Sequence, residues 1–288
     1  MKSAPFEYVD PGSLDEVVER LAQSGDDAKI LAGGQSLMPM LALRLARPAV
    51  VVDLNRVAGL DRLAASDGVL RLGALVRQRV LERWSHAHAP LFAAALRMVG
   101  HVPIRTRGTV AGSLGHADPA AELPALFLLL DGVAVARSRS GERAIVARDL
   151  FAGPLTTTLR HDEVIVETRW TLPPPHAGWG FHEVARRHGD FALVGAAAAV
   201  TVARGRTETA RVALFGTGPT PVRAAAAESL LVGNAPGAAL VAEAARAAAA
   251  SLDPDSDLHA TGHYRKRVAK TLAERALTDA FARAKAIA

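Results

Sequence analysis

Lys29-Ile30-Leu31-Ala32-Gly33-Gly34-Gln35-Ser36-Leu37 is the stretch whose reading decides the fold. Ile30-Leu31 reads as the end of a short buried strand. Gly33-Gly34 lets the backbone take φ > 0 and lets another group approach it closely. Ser36 suits the N-cap of a helix expected over Leu37 to Arg47. A strand, a glycine pair and a helix start together gather several backbone N–H groups in one place. Such fixed dipoles hold a phosphate without a buried counter-charge. The same residues also suit a strand-to-helix turn that holds no ligand.

A second stretch has the same character. Thr106-Arg107-Gly108-Thr109-Val110-Ala111-Gly112-Ser113-Leu114-Gly115-His116-Ala117-Asp118-Pro119-Ala120-Ala121-Glu122 is rich in glycine and hydroxyls and leads into an apolar helix. Two such loops could clamp the two phosphates of a dinucleotide from opposite sides. Asp118 and Glu122 are placed to cap the helix or to accept hydrogen bonds from a ribose.

The rest of the chain bounds the alternatives. Its 288 residues, 50% of them hydrophobic, allow one large domain or two to three smaller ones. Ala, Leu and Val dominate and aromatics are 5%, which suits helices and α/β packing. The net charge of +5 comes from scattered basic residues without interleaved aromatics, so no nucleic-acid footprint is read. With no cysteine, disulfides, a thiol nucleophile and a Cys-ligated iron–sulfur cluster in this chain are excluded. MKSAPFEYVDPGSLDE lacks the pattern of a signal peptide, and no transmembrane segment is read. A cytoplasmic location is expected. GxGxxG after a strand, GxxxxGK[ST] and GxSxG are all missing, so a Rossmann NAD site, a P-loop and a hydrolase elbow have no support.

In order, Phe6 to Val9 reads as a strand and Ser13-Leu14-Asp15-Glu16 as a capping box opening a helix that runs to about Ser24. Ala28 to Leu31 and Val50 to Leu54 are further strands, giving a β-α-β-α-β lobe. Leu60 to Leu72 suggests strands around an Asp67-Gly68 hairpin turn. Val76 to Trp84 and Pro90 to Val99 read as helices, with His86 and His88 between them. Pro119 to Leu130 reads as a helix with proline near its first turn. Val133 to Val135, Ala144 to Val146 and Val164 to Trp170 read as strands. Leu172-Pro173-Pro174-Pro175-His176-Ala177-Gly178 is the expected linker. Beyond it, Gly180 to Val184, Ala192 to Val202 and Arg211 to Phe215 read as an antiparallel sheet. Val222 to Leu231, Ala238 to Ser251 and Tyr264 to Ala282 read as helices. His259 and His263 lie four apart without a third ligand, so no metal site is expected.

AGGQSLMPMLALRLARP and RTRGTVAGSLGHADPAAELPALFLLLD resemble the FAD-binding motifs of the flavoprotein (medium) subunits of molybdenum hydroxylases. These include the medium chain of aerobic carbon monoxide dehydrogenase and the FAD-binding subunit of xanthine dehydrogenase. The similarity runs nearly end to end. It implies an α+β protein: a two-lobed FAD-binding domain of the vanillyl-alcohol-oxidase-like (PCMH) type over 1–175, with lobes of about 1–57 and 58–175. A smaller α+β C-terminal domain, an antiparallel sheet with helices, would span 178–288.

The resemblance implies FAD as cofactor and no catalytic side chain. Lys29, Leu31, Ala32, Gly33, Gly34, Gln35, Ser36 and Leu37 would form the first phosphate motif. Val102, Thr109, Ala111, Gly112, Ser113, His116, Ala117, Asp118 and Glu122 would form the second part of the site, with Asp118 on the adenosine ribose. Glu163-Val164-Ile165 match the position where related proteins place a residue against the flavin or adenine, and Val164 and Ile165 would line the cofactor. Phe191 stands where relatives commonly have tyrosine, keeping the ring and losing the hydroxyl. Ala111 likewise replaces the first glycine of a common Gly-Gly pair. Asp257, Tyr264 and Arg265 match a helix-start pattern and are read as structural. The implied partners are a small [2Fe–2S] subunit and a large molybdenum-cofactor subunit, as a heterotrimer or its dimer. The flavin would take electrons from the clusters and pass them to an external acceptor. A stand-alone FAD oxidoreductase, similar to the enolpyruvyl-sugar reductases, and a flavin-free assembly subunit are the alternatives.

Overall fold

The computed structural model describes residues 2–284. The first lobe is the expected β-α-β-α-β run: β1 (Glu7–Val9), α1 (Leu14–Ser24), β2 (Ala28–Leu31), α2 (Leu37–Ala42) and β3 (Val50–Asp53). Its three strands pair in parallel in the order β1-β3-β2. The central strand is buried as a continuous Val50-Val51-Val52 run, as a parallel strand covered on both faces should be. At α1 the Ser13 hydroxyl accepts from the Glu16 amide, while the Glu16 carboxylate takes the Gly12 amide instead of Ser13's. The capping box therefore closes one residue earlier than its pattern implies.

β4 (Leu63–Ser66) and β5 (Val69–Gly73) form a hairpin whose turn residues, Asp67 and Gly68, have φ of 51° and 74°. Four helices follow: α3 (Gln78–His88), α4 (Pro90–Leu96), α5 (Val102–Arg107) and α6 (Val110–His116). His86 and His88 lie in the last turn of α3, not between helices, and His88 stacks on Trp84 at 4.9 Å. α5 is not among the expected helices; Pro103 stands in its first turn, where its missing N–H costs nothing. α7 (Glu122–Leu129) begins three residues beyond Pro119, because Asp118 forms a turn with the Ala120 amide and delays the helix. β6 (Val133–Ser138), β7 (Gly141–Val146), α8 (Ala147–Leu150), β8 (Phe151–Gly153), β9 (Thr156–Thr157) and β10 (Val164–Thr171) complete this part. β10 runs through the middle of a five-stranded antiparallel sheet, β4-β5-β10-β6-β7. Trp170, fully buried, meets Phe92 and Phe127 edge-on at 5.1 Å and 4.7 Å and joins this sheet to α4 and α7.

After the proline-rich segment come β11 (Gly178–Ala185), β12 (Ala192–Ala203), β13 (Arg206–Phe215) and β14 (Val222–Arg223), an antiparallel sheet in that order. Val222-Arg223, read as the start of a helix, instead pairs with β13. α9 (Ala225–Leu231), α10 (Ala238–Ala250) and α11 (Gly262–Arg283) cover one face. Small residues set this packing. A Cβ at Gly180 would sit 2.0 Å from the Ala276 carbonyl oxygen, so α11 presses its backbone directly on β11. Alanines 269, 273, 276 and 280 line that contact. Close approach replaces bulk here, which is how a chain so poor in aromatics builds a dense second core. Arg265 ties α11 to the sheet, donating to the carbonyls of Leu193 and Gly216 and to Asp257. The opposite face of β11 turns Trp179 and Phe181 toward the first domain. Among the described residues no helix is long and apolar enough to cross a membrane.

Candidate functional site

The two glycine-rich loops meet. A Cβ at Gly33 would lie 2.5 Å from the Arg107 carbonyl oxygen, 2.7 Å from Gly108 Cα and 2.9 Å from the Thr109 nitrogen. The first loop therefore rests on the backbone of the second, at a spacing only glycine allows. Arg77 fastens the pair: its Nη1 donates to Arg107 O at 2.6 Å and its Nη2 to Asn55 Oδ1 at 2.5 Å. Asn55 Nδ2 in turn donates to Ala32 O at 2.9 Å. Gln78 N donates to Gly108 O and Val110 N to Val76 O, so a short bridge holds the second loop to the start of α3.

Gly34 has φ of 73°, the left-handed conformation that turns the strand into the helix. Ser36 makes no side-chain cap, and α2 ends at Ala42, short of the expected Arg47, where Arg44 takes φ of 58°. That leaves the Ser36 hydroxyl available to a ligand. Among the described residues, the amides of Gly33, Gly34, Gln35 and Ser36 donate to no protein acceptor. In the second loop the Thr109 hydroxyl accepts from Gly112 N at 3.0 Å and caps α6. Ala111 and Gly112 both lie within that helix, and neither has positive φ. Alanine in place of glycine at 111 therefore carries no backbone strain.

Between the loops and β10 runs a cleft of about 850 Å³. Lys29, Ala32, Gly33, Gly34, Gln35, Ser36 and Leu37 line it from the first loop. Thr109, Ala111, Gly112, Ser113, His116, Asp118 and Glu122 line it from the second, and Val164, Ile165 and Phe191 complete the expected set. Leu31, Val102 and Ala117 do not line it. Leu31 supports Gly34 from below, 3.2 Å from where a Cβ would stand. Val102 is half exposed at the start of α5, and Ala117 ends α6 with φ of 52°. Phe191, 71% exposed, stands at the edge with Gly189 and Asp190, in the turn that joins β11 to β12.

The sequence reading missed one wall. Leu155, Thr156, Thr157, Leu159, Arg160 and His161 also face the cleft. They come from the β8–β9 hairpin and the loop behind it, which carry no glycine pattern. Glu163, which the resemblance places with Val164 and Ile165 beside the cofactor, lines the cleft and anchors that loop. Its side chain is 1% exposed, and it accepts from Arg143 at 2.6 Å and 2.7 Å, from Arg160 Nε at 3.0 Å and from the Arg160 amide at 2.7 Å. Burial alone would raise this carboxyl, but the bonds from Arg143 and Arg160 outweigh it and hold it down at about 2. A depressed carboxyl contributes stability above its unfolded value near 4.5 that is lost as pH falls toward 2. Glu163→Gln is expected to lose roughly 2–3 kcal/mol at neutral pH and to flatten the acid limb of the unfolding curve between those values. Urea titrations across that range check it; an unchanged acid limb refutes it.

Glu122 behaves oppositely. It opens α7 inside the cleft, is 7% exposed, and burial pushes its carboxyl up to about 7. Among the described residues no group of three or more His, Cys, Asp or Glu stands together as a metal site. His259 instead meets Arg186 at 3.1 Å. The cleft offers backbone amides and hydroxyls as donors and carboxylates as acceptors, with apolar walls from Val164 and Ile165. That set fits a long ligand with a pyrophosphate, a sugar and a planar ring.

Comparison with known proteins gives the same chemistry. Residues 4–173 match the family described as the FAD binding domain in molybdopterin dehydrogenase, and residues 179–280 match the CO dehydrogenase flavoprotein C-terminal domain. The chain is 40% identical over 288 residues to the 6-hydroxypseudooxynicotine dehydrogenase complex subunit alpha of Paenarthrobacter nicotinovorans, covering 99% of this chain and 97% of that one. The solved carbon monoxide dehydrogenase from Hydrogenophaga pseudoflava superposes with a TM-score of 0.96 at 35% identity, over 99% of this chain and 100% of that one. Quinoline 2-oxidoreductase from Pseudomonas putida 86 does so with a TM-score of 0.91 at 38% identity, over 97% and 98%. The chain belongs to this family: it is an FAD-binding medium subunit of the molybdenum hydroxylase type, an oxidoreductase flavoprotein.

Proposed function

We propose that the chain is the electron-transfer stage of a three-part complex, receiving electrons from the [2Fe–2S] clusters of a small subunit and delivering them to an external acceptor. A large molybdenum-cofactor subunit would oxidise the substrate. The observation that carries this reading is the seating of Gly33 on Arg107, Gly108 and Thr109, which sets both loops on one cleft. The absence of cysteine supports a chain whose electrons arrive from clusters held elsewhere.

FAD supplies the redox chemistry at this site, and the protein supplies placement and electrostatics. The amides of residues 33–36 would hold the pyrophosphate from one side. Thr109, Gly112 and Ser113 would close on it from the other, with α6 presenting its N-terminal turn. Asp118 would take the adenosine ribose hydroxyls, and Glu122 a hydroxyl farther along. Val164 and Ile165 would exclude water from the ring's apolar flank. Lys29, His116 and Leu37 line the same walls.

The test is co-expression with a cysteine-rich ferredoxin-like chain and a large molybdenum-cofactor chain encoded beside it. Joint purification with FAD, iron and molybdenum, and flavin bleaching when the complex meets its substrate, are expected. A chain that stays apart from both and turns over a substrate alone would establish the stand-alone oxidoreductase instead.

A further inference from the structure

Residues 117–121 carry the chain from α6 into α7 without regular structure of their own. Backbone from elsewhere fixes them. The Ala117 carbonyl accepts from the Leu155 amide at 3.0 Å, at the tip of the β8–β9 hairpin. The Pro119 carbonyl accepts from the Gly216 amide at 2.8 Å, in the C-terminal domain. Between these two pins the chain turns on Asp118: Oδ1 accepts from Ala120 N at 2.8 Å, and the Asp118 carbonyl from Ala121 N at 3.1 Å. Asp118 lines the cleft.

Gly216 is held from its other side as well. It follows β13 with φ of 68°, and a Cβ there would lie 2.6 Å from the Leu193 carbonyl oxygen. Arg265, 8% exposed in the first turn of α11, bridges the ends of β12 and β13. Its Nη1 donates to Leu193 O and, at 3.1 Å, to Gly216 O, while Nη2 donates to Asp257 Oδ2 at 2.7 Å. A planar guanidinium that serves two carbonyls and a carboxylate is fixed in orientation. The carbonyl of Gly216 is thus tied to Arg265 and its amide to Pro119, so one residue joins the two domains. Beside this bond Ala125 of α7 packs on Ala192 and Phe215, all three buried, which makes the joint a packed contact. A continuous set of bonds therefore runs from Asp257 through Arg265, Gly216 and Pro119 to the turn that carries Asp118.

We propose that Arg265, which its pattern marks only as a helix-start residue, is a positioning residue for Asp118, so that the C-terminal domain sets the carboxylate that takes the ribose of FAD. The inference rests on the FAD reading of the cleft. Hydrogen bonds weaken steeply with misalignment, so the carboxylate must be held in place to serve a ribose hydroxyl. Arg265 does not line the cleft and acts on the ligand only through Gly216 and Pro119. The domains are also tied at the far end of α7, where Asp131 pairs with Arg211 and Arg223 at 2.9 Å and 2.8 Å. Asp131 does not line the cleft, so that tie supplies the control.

The test is a double-variant cycle on the full chain stripped of flavin, with FAD affinity read by fluorescence titration well below the unfolding transition and Tm read in parallel. Arg265→Lys is expected to weaken FAD binding about tenfold in the wild-type background. In an Asp118→Ala background the same substitution is expected to cost less than about twofold. Its fall in Tm should be alike in both, because that part is structural. Asp131→Asn should lower Tm and leave FAD affinity unchanged. Where Arg265→Lys does not fold, Asp257→Asn enters the same cycle with a smaller loss, which must also vanish in the Asp118→Ala background. Equal losses of affinity in the two backgrounds, or no loss in the first, overturn the positioning role with the FAD reading intact. Unchanged FAD affinity in Asp118→Ala overturns it too, by removing Asp118 from the ligand. A loss of affinity in Asp131→Asn equal to that of Arg265→Lys would assign the effect to loosened domains and likewise overturn it. A wild-type chain that binds no FAD overturns the cofactor reading itself, and the inference with it.

Discussion

Gly33→Ala in the full chain is expected to lower FAD retention at least tenfold, while Gly34→Ala lowers it less. The added methyl at 33 would meet backbone on three sides, at 2.5 Å to Arg107 O, 2.7 Å to Gly108 Cα and 2.9 Å to Thr109 N. Backbone cannot swing aside like a side chain. The second loop is also pinned from behind by Gln78 N on Gly108 O. Relief must come by parting the loops, which costs on the order of 1–3 kcal/mol in overpacking. The same movement spoils the spacing on which a shared pyrophosphate cradle depends. At Gly34 the obstacle is different. Its φ of 73° strains an alanine by roughly 1 kcal/mol, and the atoms a Cβ would meet, Met38 Cγ at 3.1 Å and Leu31 Cδ1 at 3.2 Å, belong to side chains that can shift. FAD per chain, read from absorbance after gel filtration, and the dissociation constant from fluorescence titration separate the two variants. Full FAD content in Gly33→Ala, with loss only in Gly34→Ala, would refute the seating of one loop on the other as the basis of the site.

That contrast also shows what could be read from residues alone. The strand, glycine pair and helix around Gly33 were legible because positive φ and close approach leave a direct mark on residue choice. The hairpin at Asp67-Gly68 was legible for the same reason. Features set by tertiary partners were not. Ser36 has the chemistry of an N-cap, yet in the cleft-lining turn its hydroxyl makes no cap bond to the helix. Pro119 looked like a helix start, but the Asp118 turn postponed α7 to Glu122. The wall from Leu155 to His161 has no local signature, because a distant Arg143 and the buried Glu163 hold it in place. Arg265 was legible only as part of a helix start for a related reason: the bonds that lead from it through Gly216 to Pro119 join residues far apart in the chain.

Arg77 is the residue whose loss should reach both loops at once. One guanidinium reaches Arg107 O on the second loop and Asn55 Oδ1, which leads through Nδ2 to Ala32 O on the first. Burial, and then the neighbouring charge of Arg107, lower its own titration, yet it stays a cation at neutral pH because an arginine starts so far above it. Its planar fork suits two acceptors in different directions, which a lysine ammonium on a flexible stem serves poorly. Arg77→Ala leaves the Arg107 carbonyl and the Asn55 amide oxygen without this donor, at about 1–3 kcal/mol together. Since the loops must be held at one spacing to grip a ligand, the loss is expected mainly in FAD affinity, roughly ten- to hundredfold, with a smaller fall in Tm. Arg77→Lys should recover part of the affinity. Asn55→Ala frees only the first loop and should cost less. If Arg77 acts through Asn55, the double variant will lose less than the two single losses added. Additive losses would instead mean that Arg77 and Asn55 hold the site separately, and unchanged FAD affinity in Arg77→Ala would remove it from the site's support altogether.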